Sequence, residues 1–229
     1  MCNENTFQIS HQPVISILFE NDDIIAVNKP EGLASIPERA REKECMFSLL
    51  SAVVPGKLYV VHRLDKEVSG VIVFARNAAV HRNLNVQFSS RAINKTYIAL
   101  THGIINKNIG VIKKPLRQFG SGRVGVDTQR GKLSATEFEV IKRLGAYTLI
   151  NVYPISGRRH QIRAHLYSIG HPIVGDLRYG NKKVQQKFPH LMLHAQKITL
   201  QLPSGQTITI EAPIPESFKA VIESIVVGQ

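Results

Sequence analysis

A strand-rich α+β chain is what this sequence predicts, on three observations. Apolar runs with a period of two come in pairs around turn signals, as Ile15–Glu20 and Ile24–Lys29 do on either side of Asn21-Asp22-Asp23. Runs with helical spacing are fewer and stand between or after such pairs. The chain has 229 residues, 43% of them hydrophobic and 20% charged, enough to bury one large core or two smaller lobes.

In chain order, residues 1–13 read as an N-terminal arm and residues 14–229 as the folded domain, with the first hairpin closed off by Pro30-Glu31-Gly32. Residues 34–43 carry Arg39, Arg41 and Lys43 with little apolar content and read as an exposed, mobile loop. Residues 45–54 place Met46, Leu49, Leu50 and Val53 at helical spacing and stop at Pro55-Gly56. Asn77 caps a second helix that runs to about Ser89, with Val80, Leu84 and Phe88 as the stripe that packs on the sheet. Residues 94–101 alternate as a strand, Tyr97 and Ala99 on one face and Ile98 and Leu100 on the other. With the second pair in the core, Tyr97 faces a cleft; the plainer reading is a half-buried ring whose hydroxyl reaches water.

Gly120-Ser121-Gly122-Arg123-Val124-Gly125 has the G-x-G-x-x-G spacing, but no apolar strand leads into it and no helix leaves it, so a dinucleotide site is rejected. A flexible basic hairpin tip with Arg117, Arg123, Arg130 and Lys132, able to lie along a phosphate backbone, fits better. Strands follow at residues 134–141 and 146–153, and a helix then runs through the polar stretch from Ser156 to Gly170. His160 and Arg163 share a face of that helix, which is either an ordinary basic surface helix or a helix end aimed into a cleft. Residues 193–202 and 207–212 form a hairpin across Pro203-Ser204-Gly205-Gln206, and a last helix from Pro215 presents Phe218, Val221, Ile222 and Ile225 to the core.

The centre of the chain is residues 59–76, where two β-prone runs, residues 59–61 and 70–75, enclose His62-Arg63-Leu64-Asp65-Lys66-Glu67-Val68-Ser69. A loop fixed between core strands can hold one carboxylate in a set direction, so Asp65 is either a reacting group or a turn aspartate bonding its own backbone.

Charge narrows the partner. Lys and Arg number 29 against 17 Asp and Glu, a formal net charge of +12, which favours a polyanion through phosphate contacts and counterion release. Nucleic acid is the expected partner, with binding that weakens as salt rises. Two cysteines are too few for a disulfide framework or a cysteine-rich zinc site and suit a reducing cytoplasm. His160, His165 and His171 have no i, i+4 pair among them, so no metal is expected. No signal peptide, membrane anchor or internal repeat is read, and a cytoplasmic monomer is expected.

Together these stretches resemble the RluA-type RNA pseudouridine synthases. The resemblance rests on His62-Arg63-Leu64-Asp65 with Ser69-Gly70, on Lys95-Thr96-Tyr97-Ile98-Ala99, and on Gly157-Arg158-Arg159-His160-Gln161-Ile162-Arg163 followed by Gly170-His171-Pro172-Ile173-Val174-Gly175-Asp176 and Tyr179-Gly180. Lys29-Pro30 with Gly32-Leu33, and Leu193-His194-Ala195, also fit. It departs at Val68 and Ser156, where the family more often has threonine, and no S4-like RNA-binding domain precedes the catalytic part.

The resemblance implies an α+β fold with a mixed, largely antiparallel central sheet, flanking helices and a cleft across its middle. It implies isomerisation of uridine to pseudouridine in structured RNA, ribosomal or transfer RNA, with the base flipped out and no cofactor. Asp65 is then the catalytic carboxylate, Tyr97 lies against the uracil ring, and Arg163 pairs with the carboxylate and lowers its pKa. Ile162 packs beside the tyrosine, and Arg63 fills the gap that the uridine leaves. His62, Arg158, His160 and Gln161 complete the expected substrate contacts. Two rivals remain at this stage: a non-catalytic basic RNA-binding protein, and a hydrolase using Asp65.

Overall fold

The computed structural model describes residues 6–7, 15–37 and 44–228. In chain order its elements are β1 (Thr6–Phe7), β2 (Ile15–Glu20), β3 (Ile24–Lys29), α1 (Met46–Val53), β4 (Tyr59–Val60), β5 (Ser69–Ala75), α2 (Ala78–Ser90), β6 (Asn94–His102), β7 (Ile109–Lys113), β8 (Leu116–Gln118), β9 (Val124–Val126), β10 (Ala135–Leu144), β11 (Tyr147–Pro154), α3 (Gln161–Ser168), α4 (Lys182–Gln185), β12 (Leu193–Gln201), β13 (Thr207–Glu211) and α5 (Glu216–Val227). They group into two compact units, Met1–Asn94 with Ala195–Pro213, and Lys95–His194 with Ile214–Gln229. Both are α+β, and the pairs β2–β3, β3–β5, β12–β13, β6–β11 and β11–β10 are antiparallel.

In the first unit the strand order is β1-β2-β3-β5-β12-β13, with β4 against the end of β5. The first hairpin closes because Asn21 Oδ1 accepts from the N–H groups of Asp23 (3.0 Å) and Ile24 (2.8 Å), an Asx turn. β5 is buried along its whole length. On one face Val71, Val73 and Ala75 join Ile24, Ala26, Ile198 and Leu200 beneath Val80 and Leu84 of α2. On the other, Phe74 meets Phe47 of α1, ring centroids 6.0 Å apart. A strand covered on both faces has no polar side to alternate with, so β5 reads as an unbroken small and apolar run.

The caps follow the sequence. Asn77 Oδ1 accepts from Val80 N–H at 2.9 Å, and Cys45 and Ser48 cap α1 reciprocally through side chain and backbone. Gly70 is obligatory on two counts: its φ is +115°, and a Cβ there would lie 2.1 Å from the Ala195 carbonyl oxygen. β5 thus runs hard against β12 directly after the Asp65 loop.

In the second unit the strand order is β6-β11-β10-β7, and β8–β9 form a separate hairpin. Its tip is closed by Phe119 N–H to Arg123 O (2.9 Å) and Gly122 N–H to Phe119 O (2.8 Å), so the glycine-rich segment is a hairpin tip and leads into no helix. Helix α3 stops where expected, with Gly170 at φ +86° after it. It is not a surface helix: Gln161, Ile162, Arg163, Ala164, His165 and Leu166 are all buried. Phe218 and Val221 of α5 are buried, while Ile222 and Ile225 are only half-buried.

One expectation lies mostly outside the described residues, and another changes. Of the N-terminal arm, Thr6–Phe7 pair with β2, and the rest lies outside the described residues. Of the loop at 34–43, residues 38–43 lie outside them too, but Ala34 and Ser35 are buried, because their carbonyls accept from Met46 N–H (2.8 Å) and Phe47 N–H (3.1 Å) at the start of α1. Free N–H groups at a helix start need acceptors, and these two residues supply them.

β3 ends on Lys29, whose side chain is fully buried. Its Nζ donates to the carbonyls of Leu33 (2.7 Å), Pro30 (2.8 Å) and Lys66 (3.2 Å). Burial pushes the ammonium down to about 8, against the pull of Asp65, then Glu67 and Glu31, which favour its charge. The unfolded lysine, at its ordinary value of 10.5, therefore holds its proton more tightly than the folded one. Folding stability rises with pH between those two values, by up to about 3 kcal/mol for this group. Denaturant unfolding between pH 7 and 10 should show that rise, and a Lys29→Met variant should lack it; equal pH slopes in the two proteins would refute the assignment.

Candidate active site

Three of the expected residues, His62, Arg63 and Asp65, lie in the first unit on the loop between β4 and β5. Asp65 is half-buried and Arg63 exposed, while Leu64 between them is buried. The loop is gripped on both sides of Asp65. Upstream, Ser35 Oγ donates to Leu64 O (2.8 Å) and accepts from Leu64 N–H (3.0 Å). Downstream, Lys66 O accepts from Lys29 Nζ (3.2 Å) and from Gly32 N–H (2.9 Å). Val68 N–H closes the turn on Asp65 O at 3.1 Å. A carboxylate on a loop clamped in this way has few directions open to it. His62 belongs to the same scaffold: Val73 N–H donates to its Nε2 at 2.9 Å, and its ring stacks on Phe88, centroids 5.1 Å apart. A nitrogen that accepts from an amide is unprotonated, so Nδ1 carries the imidazole proton.

The other expected residues lie in the second unit, Tyr97 on β6 and the rest at the start of α3. Tyr97 is half-buried and stands opposite Val152 of β11, with Ile98 and Leu100 buried as the alternation requires. Arg163 is 2% exposed. Its Nε donates to Asp176 Oδ2 and its Nη2 to Asp176 Oδ1, both at 2.8 Å, a bidentate buried pair. Oδ1 of Asp176 also accepts from the N–H groups of Arg178 (3.0 Å) and Tyr179 (3.2 Å). Asp176 thus fixes the plane of the Arg163 guanidinium while using two of its five N–H donors.

Gln161 is consumed by the scaffold. Its Oε1 accepts from Ser156 Oγ (2.7 Å) and Arg158 N–H (3.1 Å), and its Nε2 donates to Ala135 O (2.9 Å) and Thr136 Oγ1 (3.1 Å). It ties the basic turn to β10. His160 takes a left-handed backbone, φ +50° and ψ +24°, as the residue before α3. For a residue with a side chain this costs about 1–2 kcal/mol, and the bond between its Nδ1 and Tyr179 Oη at 3.1 Å helps offset it. Ile162, in the first turn of α3, is buried.

Tyr179 is the hub of this region. Its hydroxyl also accepts from Val124 N–H of the β8–β9 hairpin at 3.0 Å, and its ring lies beneath Arg163 (5.5 Å to the guanidinium carbon) and Arg123 (5.2 Å). Burial, first, pushes its phenol above the usual value, so the hydroxyl stays protonated as a bridging group must. Nearby, an open hollow of about 440 Å³ is lined by Arg117, Arg130, Lys132, Arg158 and Arg159 around Leu116 and Val124. Its turn is held by Asp127, which accepts from Arg130 N–H (2.8 Å) and from Arg117 Nη1 (3.2 Å).

Lys29, Ser35, Asp176 and Tyr179 were not singled out by the sequence as site residues. Lys29, Asp176 and Tyr179 fall inside stretches that carry the family resemblance, which was the one available signal. Ser35 had none, since its partner is 29 residues away. Among the described residues no group of three or more His, Cys, Asp or Glu could hold a metal ion, and each of His160, His165 and His171 has a ring nitrogen in a hydrogen bond within the fold.

A family model described as RNA pseudouridylate synthase matches residues 23–168. The dual-specificity RNA pseudouridine synthase RluA of Escherichia coli (strain K12) is 37% identical over 207 residues, covering 88% of this chain and 94% of that protein. The ribosomal large subunit pseudouridine synthase C of Buchnera aphidicola subsp. Baizongia pistaciae (strain Bp) is 36% identical over 223 residues, 92% of this chain and 70% of that protein. Among solved structures, human RNA pseudouridylate synthase domain containing 1 superposes with a TM-score of 0.75 at 25% identity, covering 92% of this chain and 94% of that one. The fold, the clamped aspartate loop and these likenesses agree: the chain belongs to the RluA-type RNA pseudouridine synthases.

Proposed function

We propose that Asp65 is the reacting carboxylate in the isomerisation of uridine to pseudouridine, the activity of the family to which the chain belongs. The observation that carries this is the two-sided grip on Leu64 and Lys66, which aims one half-buried acid from between two strands. The reaction breaks the bond between N1 and C1′, turns the base and joins C5 to C1′. The C5 proton is lost and N1 gains one, so no oxidant or water is consumed. An ionised Asp65 serves either as nucleophile at C1′ or as base toward the ribose.

Tyr97 is the proposed ring against the uracil, because an aromatic face holds a freed base while leaving it able to turn. Arg163, oriented by Asp176, is the proposed catalytic cation. Arg63, exposed beside Asp65, is the group proposed to fill the place of the flipped uridine, and Arg158 an electrostatic contact to the strand. His62, His160, Gln161 and Ile162 serve substrate binding by holding these groups in place. The substrate is structured RNA, ribosomal or transfer RNA, acted on in the cytoplasm by a monomer whose catalytic domain is residues 14–229. One relative is named for the large ribosomal subunit, which supports the ribosomal choice.

Asp65→Asn should lower isomerisation by at least about 10³-fold, scored by chemical mapping of pseudouridine in treated RNA, with affinity for RNA kept within a few-fold. Retained activity would remove Asp65 from the chemistry, and release of free uracil would make the protein a hydrolase. Asp176→Ala should cost about 3–5 kcal/mol in denaturant unfolding, since it removes both carboxylate bonds that Asp176 makes to a buried guanidinium; an unchanged midpoint would mean that the pair contributes little. RNA affinity should fall steeply with salt, and Arg130→Ala with Lys132→Ala should reduce the slope of log affinity against log salt by about 1 each. A slope unaltered by both changes would take the basic hollow out of RNA binding.

A further inference from the structure

Beside the basic hollow, and sharing Val124 with it, lies a second one of about 330 Å³ that none of the proposed roles uses. Its walls are Phe119 at the hairpin tip, Tyr167 of α3 and Arg123, over a floor of Gly125, Ala164 and Ser168. Phe119 and Tyr167 are each 43% exposed, although large rings near a core are ordinarily covered. The Arg123 guanidinium lies over the Tyr167 ring at 5.0 Å and the Tyr179 ring at 5.2 Å, and Arg117 lies over Phe119 at 5.8 Å. A Cβ on Gly125 would come within 3.1 Å of the Phe119 ring, so the missing side chain is what lets that ring lie where it does.

We infer that this hollow holds one unpaired nucleobase of the substrate RNA, a base other than the target uridine. Two exposed rings and a stacked guanidinium are the groups on which single-stranded bases rest, and stacking of this kind tolerates any base. The volume lies at the small end of ligand clefts, which start at roughly 300 Å³, and suits a single ring system. Charge selects the occupant. A strand whose phosphates lie among Arg117, Arg130, Lys132, Arg158 and Arg159 carries its bases within reach of the adjoining hollow, whereas an apolar peptide gains nothing from five cations. The β8–β9 hairpin is then a grip on single-stranded RNA, with phosphates in one hollow and a base in the other. This rests on the reading of the protein as an RNA enzyme but on no role for Asp65.

The chain contains no tryptophan, so a Tyr167→Trp variant carries a single indole in this wall. Its emission should be quenched by a short single-stranded oligoribonucleotide and not by an abasic phosphodiester strand of equal length and charge. Equal quenching by both strands, or by neither, overturns the proposal, as does quenching by an apolar peptide alone. In parallel, Tyr167→Ala should weaken binding of the oligoribonucleotide about 5- to 100-fold, while Tyr167→Phe, which keeps the ring, binds as the unchanged protein does. Thermal melting of all three variants separates lost stacking from lost fold, and an alanine variant that is folded and binds within twofold of the original sinks the idea. The same titration on a protein carrying both Tyr167→Trp and Asp65→Asn distinguishes the two readings: quenching there persists whether or not Asp65 is the catalyst, and lost isomerisation in Asp65→Asn stands even if the base site is refuted.

Discussion

The direction of one carboxylate depends on a buried ammonium and a buried hydroxyl. Ser35 takes both backbone groups of Leu64, and Lys29 with Gly32 takes the carbonyl of Lys66, so the chain is pinned one residue before and one residue after Asp65. Neither anchor is cheap. A fully buried lysine is disfavoured by desolvation, and here three carbonyl acceptors and the nearby acidic groups of Asp65, Glu67 and Glu31 offset that penalty. The arrangement therefore ties the charge of the loop to its shape: the acids that hold the proton on Lys29 belong to the segments that Lys29 holds in place.

In the second unit the same logic applies to a cation. Arg163 is buried at the start of a short helix, where an uncompensated guanidinium would be costly, and Asp176 meets it with two parallel bonds. Asp176 in turn accepts two backbone N–H groups from the turn that leads to Tyr179. The residues after α3 consequently form around the arginine, and their phenol reaches back to the hairpin. The turn thereby contributes to the orientation of Arg163 along with the helix that carries it.

Much of the fold was legible because local chemistry and tertiary packing agree there. β2 and β3 have the expected limits, since β-branched residues flank an Asx turn whose asparagine closes it. The α2 cap and its Val80 and Leu84 stripe were readable for the same reason. β7 was not: it exposes Ile109 and Val111 and buries only Ile112, so its alternation points the wrong way for a strand recognised by an apolar inner face. The one-turn helix α4 is too short to show periodicity. At the site, Asp65, Tyr97 and Arg163 stood out through their surroundings in sequence, whereas Ser35 was misread as exposed because its partners are Leu64 and the first turn of α1. Contacts across such separations leave no local trace, and a serine in a polar stretch looks the same whether it is solvated or buried. Asp176, thirteen residues on from Arg163, is a carboxylate partner of that arginine that the sequence did not single out.

Tyr179 has a consequence for how such a protein can diverge. One ring forms a wall for Arg123 on the hairpin and for Arg163 in the helix, and one hydroxyl joins β9 to the residue that opens α3. A sequence drifting toward a new RNA cannot alter this residue without disturbing both neighbourhoods at once. Change is thereby easier at exposed hairpin positions such as 119, 123 and 130, whose side chains make none of the hydroxyl's bonds, and the shared ring stays a fixed point between β9 and α3.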